Sequence, residues 1–255
     1  MHILSIGKKI VKNAKSIRYK KIFYTNYNDE QLTTSIIKKT SEYSRLISQE
    51  KSIPVTALRT ALPFALGEFQ SRITVLDFGG GAGTTYFEAK YFFPNKDFKW
   101  IILETKTMAN MAESMNTKNY ELKFIHDFRE IENMKIDLVI ANSSLQYTDN
   151  PIDHLNQLIN IKAKYIFITR TPLANEESIK VLQTSILGEN GPQIDSKLVN
   201  KTRINIKATV VSKNIFENQL KRFYQIKYHV VEEKKGFNAS GRSFDLFGYF
   251  CVLKI

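Results

Sequence analysis

Along the first 70 positions, apolar residues recur at spacings of three and four, the mark of helices with one buried face. Ile3, Ile6, Ile10, Ala14 and Ile17 form one such stripe, with lysines mostly off it, and predict a basic amphipathic helix. A second helix is predicted over about Gln31–Gln49 (Leu32, Ile36, Ile37, Tyr43, Leu46, Ile47), and a third over Val55–Phe69, bent or split by Pro63. From residue 71 the rhythm changes. Short apolar runs at Ile73–Phe78, Trp100–Glu104, Leu122–Ile125, Ile136–Ala141 and Tyr165–Thr169 read as strands, separated by helices beginning near Ala82, Thr107, Arg129 and Ile152. Continuously apolar strands alternating with helices imply a parallel sheet covered on both faces. The rhythm loosens through a polar stretch, Asn175 to Arg203. A helix at Ile215–Arg222 and strands at Ile226–Val231 and Leu246–Leu253 follow, the two strands joined by a loop containing Gly236 and Gly241. A connection without a helix suits an antiparallel return. The prediction is an α/β chain with a seven-stranded, mostly parallel sheet whose last strand is antiparallel. Residues 1–70 form an N-terminal helical extension and residues 71–255 the α/β domain.

Composition narrows this picture. The chain has 255 residues, 43% of them apolar, enough for one sizeable core. Its formal net charge of +12 is uneven: Lys8, Lys9, Lys12, Lys15, Arg18, Lys20 and Lys21 all precede the first acidic residue, Asp29. That segment reads first as a solvated face packed on the domain. Its second reading is a peripheral contact of residues 1–21 with an anionic membrane surface, which vesicle sedimentation with and without those residues distinguishes. A single cysteine, Cys251, excludes an internal disulfide and points to a reducing, cytoplasmic setting. No apolar run approaches the length of a membrane span, and no secretory signal is read at the N-terminus. Four histidines without close His/Asp/Glu spacing predict no metal site.

The chemistry concentrates in Val75-Leu76-Asp77-Phe78-Gly79-Gly80-Gly81-Ala82-Gly83-Thr84, an apolar strand running into four glycines and then a helix. Glycines serve where the chain turns at positive φ or a ligand approaches the backbone too closely for a Cβ. The turn falls at the carboxyl end of a strand, where open α/β sheets bind ligands, and the next helix offers unpaired N–H groups. A dinucleotide loop fits poorly, because Asp77 would face a pyrophosphate and the register Gly79-x-Gly81-x-x-Thr84 lacks the third glycine. Asp77 suits the cationic amino group of a methionine moiety. Glu104, ending the next strand, can accept both ribose hydroxyls of an adenosine. The predicted cofactor is therefore S-adenosylmethionine, held by Asp77, Phe78, Gly79, Gly80, Gly81, Gly83 and Glu104. Asp127 would accept from the adenine amino group, with Phe128 stacking on the base. Asn142 and Ser143 after the fourth strand would face the reactive end.

With these motifs the chain resembles a bacterial family of class I methyltransferases associated with surface-polysaccharide and O-antigen gene clusters. The resemblance rests on Leu76-Asp77-Phe78-Gly79-Gly80-Gly81 with Gly83, on Trp100 leading to Glu104, on Leu145-Gln146-Tyr147 ahead of Pro151, and on Thr169-Arg170-Thr171-Pro172. It covers about residues 73–172. The region before the Ile215 helix departs from the family pattern, which leaves the acceptor open. The resemblance implies a Rossmann-like methyltransferase sheet and a saccharide-related acceptor. Methyl transfer from a sulfonium needs in-line placement above all, with a general base desirable for a hydroxyl acceptor. His126, Tyr147, Asp149, His154 and Arg170 are the candidates near the strand tips, and Tyr147 and Arg170 are the pair expected to line the acceptor pocket. The competing readings are an RNA methyltransferase, prompted by the basic charge but without an appended nucleic-acid motif, and a non-catalytic nucleoside-binding or scaffolding protein of the same fold.

Overall fold

A computed structural model describes residues 23–49, 55–69, 72–116, 119–192, 194 and 200–255. The basic helix predicted over Ile3–Ile17, and with it the membrane contact of residues 1–21, lies outside the described residues. Five strands form the parallel centre: β2 (Arg72–Phe78), β3 (Asp97–Leu103), β4 (Leu122–Ile125), β5 (Leu138–Asn142) and β6 (Tyr165–Ala174). In chain-order numbering, β1 is the short strand Phe23–Thr25, while β7 (Ile179–Ile186), β8 (Arg203–Ser212), β9 (Tyr224–Ala239) and β10 (Arg242–Leu253) complete the set. The central order is β4-β3-β2-β5-β6, with β10 antiparallel against β6 and β9 antiparallel against β10. The strand order reverses between β2 and β5, which opens a crevice at their carboxyl ends.

Helices cover both faces. Helix α1 (Glu30–Ile47) starts at Asp29, whose carboxylate accepts from the Leu32 N–H at 2.9 Å, and buries Leu32, Ile36, Ile37, Tyr43 and Ile47 along one side. Helix α2 (Val55–Leu66) continues through Pro63 to Leu66 instead of splitting there. Helix α3 (Thr84–Phe92) follows the glycine turn, α4 (Lys106–Met115) is capped by Thr105, and α5 (Pro151–Asn160) by Asn150 with proline in its first turn. Helix α6 (Lys213–Lys221) precedes β9. One buried cluster joins Leu32, Ile36 and Phe64 of α1 and α2 to Val75, Trp100 and Ile102 of the sheet. A second, on the opposite face, joins Leu155 and Leu158 of α5 and Phe216 of α6 to Leu76, Val139 and Ile166.

Three expectations need correction. The helix predicted near Arg129 is a single 3-10 turn, Phe128–Ile131. The polar stretch Asn175–Arg203 contains strand β7 and leads into β8, an antiparallel pair; β8 also pairs in parallel with β1 and with the far end of β6 through Leu173↔Val211. Alternation at Ile204, Ile206, Ala208 and Val210, all buried, drives this strand. The expected loop around Gly236 is ladder: β9 and β10 run to a two-residue turn at Ser240 and Gly241, whose φ of 49° and 71° suit a tight hairpin. Register shifts in β10 absorb the mismatch. Cys251 is free and buried, as its apolar run predicts.

Candidate active site at the carboxyl ends of the strands

The glycine turn joins β2 to α3 with Gly79, Gly81 and Gly83 at φ of 67°, 60° and 98°. At Gly79 a Cβ would stand 2.3 Å from the Ser144 Cβ, and at Gly80 it would stand 2.6 Å from the Asp77 carboxyl carbon. The turn thus closes on Asp77 from one side and on the β5 loop from the other. Asp77 is fully buried at the end of β2; its Oδ2 accepts from the Trp100 indole at 3.3 Å, while Oδ1 has no hydrogen-bond partner. Burial lifts this carboxyl to about 7, against the Trp100 indole hydrogen bond; repulsion from Glu104 adds to the lift, and the Thr85 hydroxyl, hydrogen-bonding the carboxylate more weakly, opposes it. Glu104, at the tip of β3, accepts from the Gly81 N–H at 3.0 Å and the Thr105 N–H at 2.8 Å. The second carboxylate is therefore tied to the backbone of the glycine turn. Burial raises its pKa, and the two backbone donors oppose that rise.

The β5 loop adds a polar group. Ser143 takes φ 52° and its N–H donates to the Thr169 carbonyl at 2.9 Å. Its hydroxyl accepts from the Gln146 amide at 3.1 Å. Asn142 Oδ1, Ser144 Oγ, Gln146 Oε1 and Thr171 Oγ1 are buried without hydrogen-bond partners, as is Asp77 Oδ1. Such a concentration at the tips of β2, β5 and β6 contrasts with the usual satisfaction of buried polar atoms. It marks where a polar ligand can be met.

Asp127 differs from expectation. Both its oxygens accept from Arg129, through the backbone N–H at 2.9 Å and the guanidinium, which holds the carboxyl at about 2. Its lone pairs are largely engaged within its own turn. Phe128 stacks on Phe78 with ring centroids 6.1 Å apart, and the His154 ring stands 5.5 Å from that of Phe78. His154 also meets the Asn150 carbonyl at 3.0 Å as part of its own helix start, while His126 and Asp149 are exposed.

Tyr147 lies inside the crevice roof. Its hydroxyl donates to Gln183 Oε1 of β7 at 2.8 Å, and its ring faces Tyr27 at 4.9 Å and Phe237 of β9 at 6.5 Å. Burial raises the pKa of this phenol, so it is a donor and not a base at neutral pH. Tyr27, absent from the predicted set, donates to Asn190 at 3.3 Å, and its carbonyl accepts from Thr105 beside Glu104. Arg170 takes φ 54°, with its guanidinium 3.9 Å from Glu233. It lines a cavity of about 10 Å³, roughly one water, with Arg59, Thr60, Thr85, Asn142 and Thr169. Tyr147 is thus held by Gln183 of β7 and Arg170 borders Arg59 of α2, while the Arg170 charge acts on the Tyr147 phenol. Tyr27, Arg59 and Gln183 reach the site from segments far away in sequence, and no local pattern marks them.

No family model matches the chain, and no curated protein sequence matches it. Among solved structures, it is similar to an S-adenosylmethionine-dependent methyltransferase from Clostridium acetobutylicum ATCC 824 at 12% identity, covering 86% of this chain and 98% of that one with a TM-score of 0.52. It also aligns with the mitomycin 7-O-methyltransferase MmcR (15% identity, 90% of this chain, 61% of that chain, TM-score 0.48). A third is human N-acetylserotonin methyltransferase in complex with S-adenosylmethionine (17% identity, 88% and 59%, TM-score 0.47). The chain spans about three fifths of the length of these last two. The fold is the Rossmann-like methyltransferase fold, as the β4-β3-β2-β5-β6-β10-β9 order also requires.

Proposed function

We propose that the chain is an S-adenosylmethionine-dependent methyltransferase acting on a small-molecule or saccharide-related acceptor, at oxygen or nitrogen. The observation that carries this is the Asp77 carboxylate, fully buried and opposed there only by the Trp100 indole and the Thr85 hydroxyl, beside a glycine turn whose backbone is held by Glu104. A buried carboxylate against a turn that at Gly79 and Gly80 has no room for a Cβ fits a cationic amino-acid group better than a phosphate. In this reading Asp77 holds the amino group, Gly79, Gly80, Gly81 and Gly83 shape the cradle, and Glu104 receives ribose hydroxyls. Asn142 and Ser143 border the reactive end. Phe128 serves the base side, where Asp127, engaged by Arg129, contributes through one remaining face.

When bound, the cofactor supplies an electrophilic methyl group on a sulfonium. The chain's own residues supply position and dryness. Tyr147, fixed by Gln183 and flanked by Tyr27, orients an acceptor by donating or stacking, and Arg170 anchors an acidic or phosphorylated one. Surface-glycan biosynthesis is the setting supported by the sequence resemblance over residues 73–172. Calorimetric titration with S-adenosylmethionine tests the reading. Binding is expected for the full chain and a loss of at least tenfold for Asp77→Asn and for Glu104→Gln. Undiminished affinity in both variants, or no binding by the folded chain, would overturn it.

A further inference from the structure

Asp77 ends β2 with no exposure to solvent, so a ligand that reaches its carboxylate enters only after a group at this end of the sheet has moved aside. Two segments from the N-terminal part of the chain stand here. Ile36 of α1 has its Cγ2 3.5 Å from the place a Cβ would take at Gly81, and it and Leu32 are at most 5% exposed, as members of the main core. Moving α1 would uncover that core. The other segment is the turn of residues 26–29 between β1 and α1. It is closed by the Asp29 N–H donating to the Asn26 carbonyl at 3.0 Å and the Asn28 N–H donating to Asn26 Oδ1 at 2.9 Å.

Tyr27 of this turn spans the crevice. Its carbonyl accepts from Thr105 Oγ1 at 3.1 Å, one residue past Glu104, and the neighbouring Asn28 Oδ1 accepts from the Thr107 N–H at 3.2 Å. Its ring lies 4.9 Å from that of Tyr147, which follows β5, and its hydroxyl donates to Asn190 at 3.3 Å. In the sheet order β3-β2-β5, the strand between these two anchorages is β2, which carries Asp77 and the glycine turn. Two interstrand spacings are about 10 Å, a gap that the backbone and side chain of one tyrosine can bridge. Burial raises the pKa of the Tyr27 phenol, and Tyr147 and Glu104 raise it further, as a group reaching both sides of the crevice requires. The crossing is lightly held. Tyr27 is only partly buried, Asn26 and Asn28 are exposed, and the link from Asn28 to Thr107 lies at the surface, where water can replace it.

We infer that Tyr27 is the gate of this crevice: its ring swings aside with the turn of residues 26–29 to admit the nucleoside, and returns across β2 to close over it. The identity of the ligand rests on the cofactor reading above. Helix α1 keeps its place during the exchange, because the buried Leu32 and Ile36 hold it whichever way Tyr27 turns. In the closed state the Tyr27 ring lies against Tyr147, so enclosure of the cofactor and completion of the acceptor wall occur together.

Stopped-flow mixing of the full chain with S-adenosylmethionine tests the gate, read through Trp100, the single tryptophan, whose indole donates to Asp77. Binding that waits on an opening is slowed in both directions, so Tyr27→Ala should raise the association and dissociation rate constants about fivefold or more each, with affinity changed less than either. Asn28→Ala, at an exposed residue, frees the turn from Thr107 and should raise both about twofold. In the ligand-free chain, amide relaxation dispersion should show millisecond exchange at Asn28 and Thr107 and none at Ile36. Faster dissociation at unchanged association would mark a lost contact and no gate. That result, unchanged rates in both variants, or exchange shared by Ile36 would each overturn the gate and leave the cofactor reading standing. No binding by the folded chain would overturn both.

Discussion

Asp77 combines two demands that oppose each other in the free protein. Its burial disfavours the charged form, while a cationic ligand requires that form. With the native pKa raised to about 7 from an unfolded value near 3.8, the folded chain holds more protons than the unfolded chain between those values. Stability contributed at this position is thus fully present below about pH 4 and falls as pH rises through 7. Asp77→Asn removes the titration and keeps the shape. Thermal melts should show the variant matching the parent below about pH 4, drawing ahead as pH rises from 4 to 7, and exceeding it by several degrees at pH 8. An identical pH dependence of the two proteins would show that the buried carboxylate is not responsible.

At the scale of elements, Glu232 joins parts of the molecule that local sequence keeps apart. Its Oε1 accepts from the Thr169 hydroxyl at 2.6 Å and the Arg170 N–H at 2.7 Å, and its Oε2 lies 2.9 Å from Arg59 Nε of α2. Gly248 of β10 makes room for it, since a Cβ there would stand 2.6 Å from Oε1. The carboxylate therefore ties β9 to β6, β10 and α2, and holds the left-handed bend at Arg170. Glu232→Ala leaves the partly buried Arg59 uncompensated and should destabilise by about 3 kcal/mol, the cost of breaking a buried pair. Glu232→Gln keeps an acceptor for Thr169 and Arg170 and should cost about half as much. Urea melts of both variants check the order; a costlier Gln would refute it. The sequence placed β2 to β6 within a few residues, because a strand buried on both faces must be continuously apolar. It did not mark β7, β8 or the outer half of the hairpin. There only one face is buried, and polar residues between Ile204 and Val210 hide the alternation within a charged neighbourhood.

For the whole molecule, α1 and α2 share the main core with the sheet. Burial of Leu32, Ile36, Ile37, Tyr43 and Ile47 at 6% exposure or less contributes roughly 10 kcal/mol at the usual worth of a buried apolar side chain. That is comparable to the whole stability of a typical domain. A chain beginning at residue 49 should therefore lose its cooperative thermal transition and bind hydrophobic dyes. A sharp melt from such a chain would show that the α/β portion holds its own core.

Some features follow from the order of residues alone, because each depends on neighbours within a few positions. The period of apolar residues sets helix or strand, the glycine cluster sets the turn after Asp77, and acids ending consecutive strands set Asp77 and Glu104 near one crevice. Tertiary structure alone decided which partners those groups meet. Tyr27 and Gln183 come to Tyr147, and Arg59 comes to Glu232. Those pairings join residues whose separation along the chain carries no pattern, since closing a long loop leaves no periodic trace in sequence.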